Sequence, residues 1–145
     1  MREDWGSRHR RCLLSLRDAV IGKSTVAGAL AERLRLPLIA QDEIKEPLYD
    51  TLGTADTEWS SRLGKAAYAL IFVLARSLLA SGTSTIVEAN FFRGQEEEFA
   101  ALPEHRLVQL HCQAPLPVLL ERYSSRTRHP GHRDNEKVKE LAARF

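Results

Sequence analysis

Four residues, Gly22-Lys23-Ser24-Thr25, constrain this chain more than any others. They stand between a short apolar run at residues 12–16 and a helix-periodic stretch that begins at Ser24. A strand, a turn and a helix joined through Gly-Lys-Ser are the setting for a phosphate-binding loop. There backbone N–H groups wrap the anion, a lysine neutralises the outer phosphates, a hydroxyl meets Mg²⁺, and the helix N-terminus adds partial positive charge. The second half of that pattern is present and the first half is not. The full spacing calls for glycine at position 17, where this chain has Arg17, and Val20 takes another place that commonly holds glycine. A β-branched residue resists the positive φ that glycine accepts freely, so the cradle is expected to be altered. A plain Gly-Lys turn before an ordinary helix fits these four residues as well.

The remainder of the chain alternates strand-like and helix-like stretches. After the run at 12–16, Val26, Leu30 and Leu34, flanked by Ala27 and Ala31, give a helix stripe. Residues 36–40 read as a second strand, with Pro37 near its start, and 43–50 as a helix. Asp56 or Thr57 caps a long helix marked by Trp59, Leu63, Ala67, Leu70, Leu74 and Leu78, which Gly82 stops. The β-rich run 85–88 is apolar enough for a central strand, and 95–102 form a short acidic helix. Residues 106–112 and 115–125 give one more strand and helix, 126–134 a loop, and 135–145 the start of another helix. Such alternation defines an α/β fold, with a parallel sheet of four recognisable strands and helices on both faces.

Composition narrows the class. At 145 residues and 43% hydrophobic content the chain suits a single domain, residues 1–145, with 1–11 expected to be disordered. The balance of 21 basic against 19 acidic residues excludes a nucleic-acid footprint spread over the whole surface. The longest apolar run, residues 66–75, is about half of a bilayer span, so a buried helix and no membrane partner are expected. Cys12 and Cys112 lie in separate strand-like runs and read as reduced core residues of a cytoplasmic protein.

Gly22-Lys23-Ser24-Thr25, Gln41-Asp42-Glu43-Ile44-Lys45-Glu46, Ile86-Val87-Glu88-Ala89-Asn90-Phe91, and Arg122 through Arg126 to Arg128-His129-Pro130-Gly131-His132 occur in that order. Together they resemble the small P-loop kinases grouped as AAA-like or zeta-toxin-like ATP-binding proteins, relatives of chloramphenicol phosphotransferase and polynucleotide kinase. The resemblance covers residues 21–134. It implies a P-loop NTPase fold with usually five strands, ATP and Mg²⁺ as cofactors, and an Arg-bearing lid at residues 122–134. Upstream of Ile21 the likeness stops, and the first twenty residues are expected to derive from an altered start or reading frame. The family's further strand after the lid is expected to be missing.

In this scheme Gly22, Lys23, Ser24 and Thr25 bind the nucleotide, Lys23 neutralising the β- and γ-phosphates and Ser24 holding Mg²⁺. The resemblance places the base for a substrate hydroxyl at Asp42. Lys45, about one helical turn on, suits a substrate anion or the developing charge. Asp42 fits equally the N-cap of its helix. Glu88 ends an apolar strand as a Walker B acid does, where it can orient water on Mg²⁺, and Asn90 is a weaker candidate for phosphate or substrate contact. Arg122 and Arg126 share a helix face, with Arg128 close behind, and suit either phosphate contact from the lid or a solvated basic helix end. Arg133 is a further candidate. His129 and His132 lack partners at zinc spacing apart from Asp134, so no zinc is expected. Phe91 and Phe92 suit an acceptor pocket or the core.

The resulting expectation is an ATP-dependent kinase for a small-molecule hydroxyl. The alternatives are a non-catalytic nucleotide-binding remnant and nucleic-acid binding through the Arg-rich N-terminus and lid. Neither the acceptor nor the oligomeric state is legible.

Overall fold

A computed structural model describes residues 11–17, 23–91, 94–112, 115–125, 127 and 129–132. Four strands form one sheet: β1 (Cys12–Arg17), β2 (Leu38–Ala40), β3 (Thr85–Glu88) and β4 (Arg106–His111). Their order is β2-β3-β1-β4, and every pairing is parallel. Helices α1 (Lys23–Leu34), α2 (Gln41–Leu52), α3 (Thr57–Ala80), α4 (Glu96–Ala100) and α5 (Leu116–Ser125) connect or follow them, and a 3-10 turn at Pro130–His132 comes last. Parallel pairing sends every strand's carboxyl end to one edge, where ligands bind in sheets of this kind. Gln41, Asp42 and Glu88 belong to that edge because they end or directly follow β2 and β3, and Ser24, at the start of the helix after β1, reaches it through its bond to Glu88.

Alternation along β3 divides the core. Ile86 packs with Ala27 of α1, in a cluster completed by Leu30, Ala31, Leu36, Leu38, Val108, Leu110 and Cys112. Val87 belongs to the other cluster, with Ile39, Ile71, Ala75, Leu79, Ala89, Phe91, Phe99 and Leu102. All four β3 residues are buried, as a central strand covered on both faces requires.

Two helices present a different face from the one their periodicity predicts. On α1 the inward positions are Ala27, Leu30 and Ala31, while Val26 and Leu34 are exposed. On α3 the predicted stripe holds through Leu63 and Ala67, then continues as Ile71, Ala75 and Leu79. Leu70 and Leu74 are 41% and 45% exposed, against 1% for Ile71 and 0% for Leu79. In a stretch apolar on every side, leucine spacing does not report the contact face. The face against the sheet combines Ala67 and Ala75 with Ile71 and Leu79, while Ala66 and Ala69 are exposed, so residue size does not report it either.

The apolar stretch in α3 is therefore only half-buried, which corrects the expectation of a fully buried helix. At 24 residues, with mean hydropathy 1.6 over its best window, α3 is long and apolar enough to cross a membrane. Its inner stripe is committed to the sheet.

The Asp56 side chain caps α3 by accepting the Trp59 N–H at 2.9 Å, as predicted. The helix gives way to a turn at Ser81 and Gly82, whose φ of +88° favours glycine. Helix α2 starts two residues earlier than the sequence indicates, at Gln41. Its N-cap is Ala40, which makes no side-chain cap bond. Asp42 thus lies inside the first turn, and the N-cap alternative for it is overturned. Phe91 joins Tyr68, Phe72 and Phe99 in an aromatic group with centroids 5.1–6.4 Å apart, so its use is the core. Phe92, the first ten residues and the helix expected at 135–145 lie outside the described residues.

Candidate active site

Ser24 and Glu88 meet because helix and strand run in opposite senses. Ala27 packs on Ile86. Three residues back along α1, about 4.5 Å, match two residues forward along β3, about 6.6 Å, so Ser24 arrives beside Glu88. The Ser24 hydroxyl donates to Glu88 Oε1 at 3.0 Å. Glu88 is buried at the end of the central pair of strands, in Cα register with Leu16 and Ala40. Burying a carboxylate there is costly without partners, and the hydroxyl is one of them. Mg²⁺ takes oxygen ligands, and a serine hydroxyl touching a carboxylate is a donor pair of that type. Lys23 opens α1, so its backbone, like that of Ser24 and Thr25, lies at the positive end of the helix dipole. Gly22 and the Lys23 side chain lie outside the described residues.

Asp42 stands at the end of β2, next to β3, placing it about one strand spacing from Glu88's strand and about two from β1. Its carboxylate is 45% exposed. Gln41 braces this corner. Its Nε2 donates to Gly64 O at 3.2 Å, and its Oε1 accepts the Asn90 N–H at 3.4 Å. The end of β2, helix α3 and the segment after β3 are thereby linked. Asn90 is exposed at this edge.

Lys45 turns inward. It is buried, its ammonium donates to Ser60 Oγ at 3.2 Å, and it lies 5.3 Å from the Tyr49 ring centroid. Tyr49 and Ser60 share a 2.6 Å hydrogen bond, and Ser60 donates to the Gly131 carbonyl at 3.1 Å. With its one proton given to Gly131, Ser60 accepts from both Lys45 and Tyr49, which satisfies the hydroxyl fully. Gly64 lies beside the lysine, where a Cβ would meet Nζ at 3.4 Å, an ordinary contact.

The segment 129–132 lies against the same helix. His132, 1% exposed, is within 2.8 Å of Glu46 Oε1 through Nε2 and 3.8 Å of Asp42 Oδ1 through Nδ1. His129 stacks on Tyr49 at 5.3 Å and bonds Asp50 at 2.9 Å. Asp42, Lys45, Glu46, Tyr49 and Asp50 recur at three- and four-residue intervals, forming one face of α2 that receives this segment. Among the described residues no group of three or more His, Cys, Asp or Glu is placed to hold a metal ion. Arg122 is exposed in the last turn of α5, with no described bond to Ser24, Asp42 or Glu88. Arg126, Arg128 and Arg133 lie outside the described residues.

Sequence reasoning missed the part played by Glu46, Tyr49, Ser60 and Gln41. The α2 face was readable from its spacing, whereas Ser60 and His132 reach it only through tertiary contacts. On α3, the Tyr68 hydroxyl is buried without a hydrogen-bond partner, and burial, helped by the Glu98 charge, pushes its pKa well above the usual phenol value.

A parallel sheet in the order β2-β3-β1-β4, with a Lys-Ser-Thr helix start after β1 and an acid ending β3, defines a kinase-like P-loop NTPase. Such a fold is one for nucleotide binding and phosphoryl transfer. The chain matches the AAA domain family over residues 20–145 and belongs to it. The match begins where the P-loop likeness begins.

Among solved structures it resembles a Chloroflexus aurantiacus protein provisionally designated a kinase, at 35% identity and TM-score 0.82, covering 90% of this chain and 78% of that one. A sugar kinase from Janibacter sp. HTCC2649 shares the fold at 17% identity and TM-score 0.56, covering 83% and 69%. A chain of the Pnkp1/Rnl/Hen1 complex shares it at 17% and 0.58, covering 86% of this chain and 42% of that one. No curated protein sequence matches significantly.

Proposed function

We propose that this protein is an ATP- and Mg²⁺-dependent kinase that moves the γ-phosphoryl group of ATP to a hydroxyl on a small molecule. The observation that carries this reading is the 3.0 Å contact of Ser24 with Glu88 at the carboxyl edge, one strand from the half-exposed carboxylate of Asp42. Ser24 and Glu88 would hold Mg²⁺, directly or through water, and the metal would supply charge neutralisation between phosphates. Backbone N–H groups of Gly22 to Thr25 and the Lys23 ammonium would bind the phosphates. Asp42 would orient the acceptor hydroxyl and take its proton, and Arg122, Arg126 and Arg128 would meet phosphate charge from the lid. Catalysis of this kind is mainly positioning and charge stabilisation. The inward set of Lys45 fits a part in holding α2 more closely than direct contact with an anion. The relatives that share the fold include a sugar kinase and a chain of the Pnkp1/Rnl/Hen1 complex, and the balance of 21 basic against 19 acidic residues favours a small hydroxyl compound over a polynucleotide end. Cys112, a free thiol, fits the reducing cytoplasm.

A second reading, a nucleotide-binding remnant without turnover, is favoured by Arg17 and Val20 in the cradle. Thermal unfolding with and without Mg-ATP addresses binding, because a ligand of the native state raises stability as ln(1 + [L]/Kd). A rise in Tm that is lost in Lys23→Ala is the expected outcome. No rise in a folded chain refutes ATP binding. A rise without phosphoryl transfer to any hydroxyl, water included, leaves the remnant reading in place.

A further inference from the structure

We infer that His132 is a positioning residue for Asp42, acting as a wedge between two carboxylates on successive turns of α2. This inference rests on the kinase reading for its catalytic meaning, but its geometry stands apart from that reading. Asp42 and Glu46 are four residues apart and so project from one face. Into the gap between them comes a ring that is 1% exposed, although it belongs to a short 3-10 turn late in the chain. A carboxylate can only accept, so the 2.8 Å bond makes His132 Nε2 the donor to Glu46. The second nitrogen faces Asp42 Oδ1 at 3.8 Å, longer than a hydrogen bond, and draws that carboxylate toward the ring when it too carries a proton.

The ring is held from its other sides as well. Tyr49 meets it edge to face at 5.7 Å, and the Gly131 carbonyl beside it accepts from Ser60 at 3.1 Å. Ser60 also receives Lys45, so helices α2 and α3 and the 129–132 segment converge on one buried polar knot. A half-exposed aspartate with several rotamers is thereby given a fixed neighbour on its inner side. The same segment directly follows the stretch that carries Arg122, Arg126 and Arg128, so the wedge also joins the lid sequence to the helix that would present the acceptor.

The test uses the full-length protein, with Mg-ATP and water as the only reactants. Carbodiimide labelling of Asp42, read by mass spectrometry, reports its freedom without requiring activity. In folded His132→Phe, which keeps a ring but no donor, labelling of Asp42 is expected to rise. The kcat for ATP hydrolysis is expected to fall roughly ten- to hundredfold, with KM for Mg-ATP unchanged, as loss of orientation predicts. His132→Asn, whose side-chain nitrogen can stand where Nδ1 does, is expected to recover part of both. His132→Phe is expected to add nothing to Asp42→Asn. Should His132→Phe fail to fold, Glu46→Ala removes the anchor from the partly exposed side and is expected to give the same signature. Unchanged Asp42 labelling, or an effect that adds in full to Asp42→Asn, overturns the inference. If labelling responds while wild type moves phosphoryl neither to water nor to any added hydroxyl, the wedge stands and the kinase reading falls.

Discussion

Among the described glycines, Gly131 is the one where an added methyl should cost most through crowding. A Cβ built at Gly131 falls inside van der Waals contact with the Cδ2, Cγ and Cε2 atoms of the Tyr49 ring, and backbone strain plays no part because the glycine's φ is not left-handed. Tyr49 cannot step aside freely. It is buried, bonded to Ser60 at 2.6 Å, and stacked on His129 at 5.3 Å. Overpacking of this kind costs about 1–3 kcal/mol, and partial loss of the stack and of the Ser60 bond adds about 1 kcal/mol. The expected loss is about 2–4 kcal/mol, or roughly 4 to 16 °C in Tm for a domain of this size. The assay is urea unfolding of four proteins: wild type, Gly131→Ala, Tyr49→Ala and the double variant. With the ring gone, the added methyl enters open space, so in the Tyr49→Ala background Gly131→Ala should cost less than about 0.5 kcal/mol, a coupling of about 2 kcal/mol. Equal costs in the two backgrounds would refute the argument, since they would show that the segment 129–132 does not lie against α2.

Two further predictions concern α3. Tyr68→Phe removes a buried hydroxyl without a hydrogen-bond partner and should raise stability by about 1 kcal/mol in urea unfolding. Because the folded phenol's pKa is held above its ordinary 10.0, the Tyr68 contribution is fully present below pH 10 and is lost as pH rises further, so the variant's advantage should widen there. Leu79→Ala, at a fully buried position, should cost about 2–5 kcal/mol, whereas Leu74→Ala, 45% exposed, should cost less than about 1 kcal/mol. The same urea series measures both, and equal losses would mean that α3 presents the leucine stripe read from its periodicity.

That contrast marks where sequence reasoning reaches and where it ends. Strand and helix order was legible because each β run is short and largely apolar, and the longest helix has both a cap and a stop: Asp56 before α3, Gly82 after it. The rotation of α3 was not, since a run apolar on all sides carries no polar reference, and the face that packs on the sheet is Ala67, Ile71, Ala75 and Leu79. The start of α2 was also hidden, because Ala40 caps nothing and the helix begins directly from the strand end.

The site divides along the same line. Ser24 and Glu88 were legible singly, one from the Gly-Lys-Ser-Thr run and the other from a lone acid ending an apolar strand, and elementary helix and strand rises bring them to 3.0 Å. His132 was read as part of a lid loop, since the acids that hold its ring are remote in sequence. Its partners Asp42 and Glu46 lie 90 and 86 positions away. A buried imidazole between two acids is a tertiary fact, and it changes what the Arg-His-Pro-Gly-His stretch means. Residues 129–132 are held to the helix that carries Asp42 by the Glu46 bond and the Tyr49 stack. If the proposed lid at residues 122–134 moves in turnover, those two contacts would have to break first, so Glu46→Ala would be expected to ease its movement as much as a change within the lid itself.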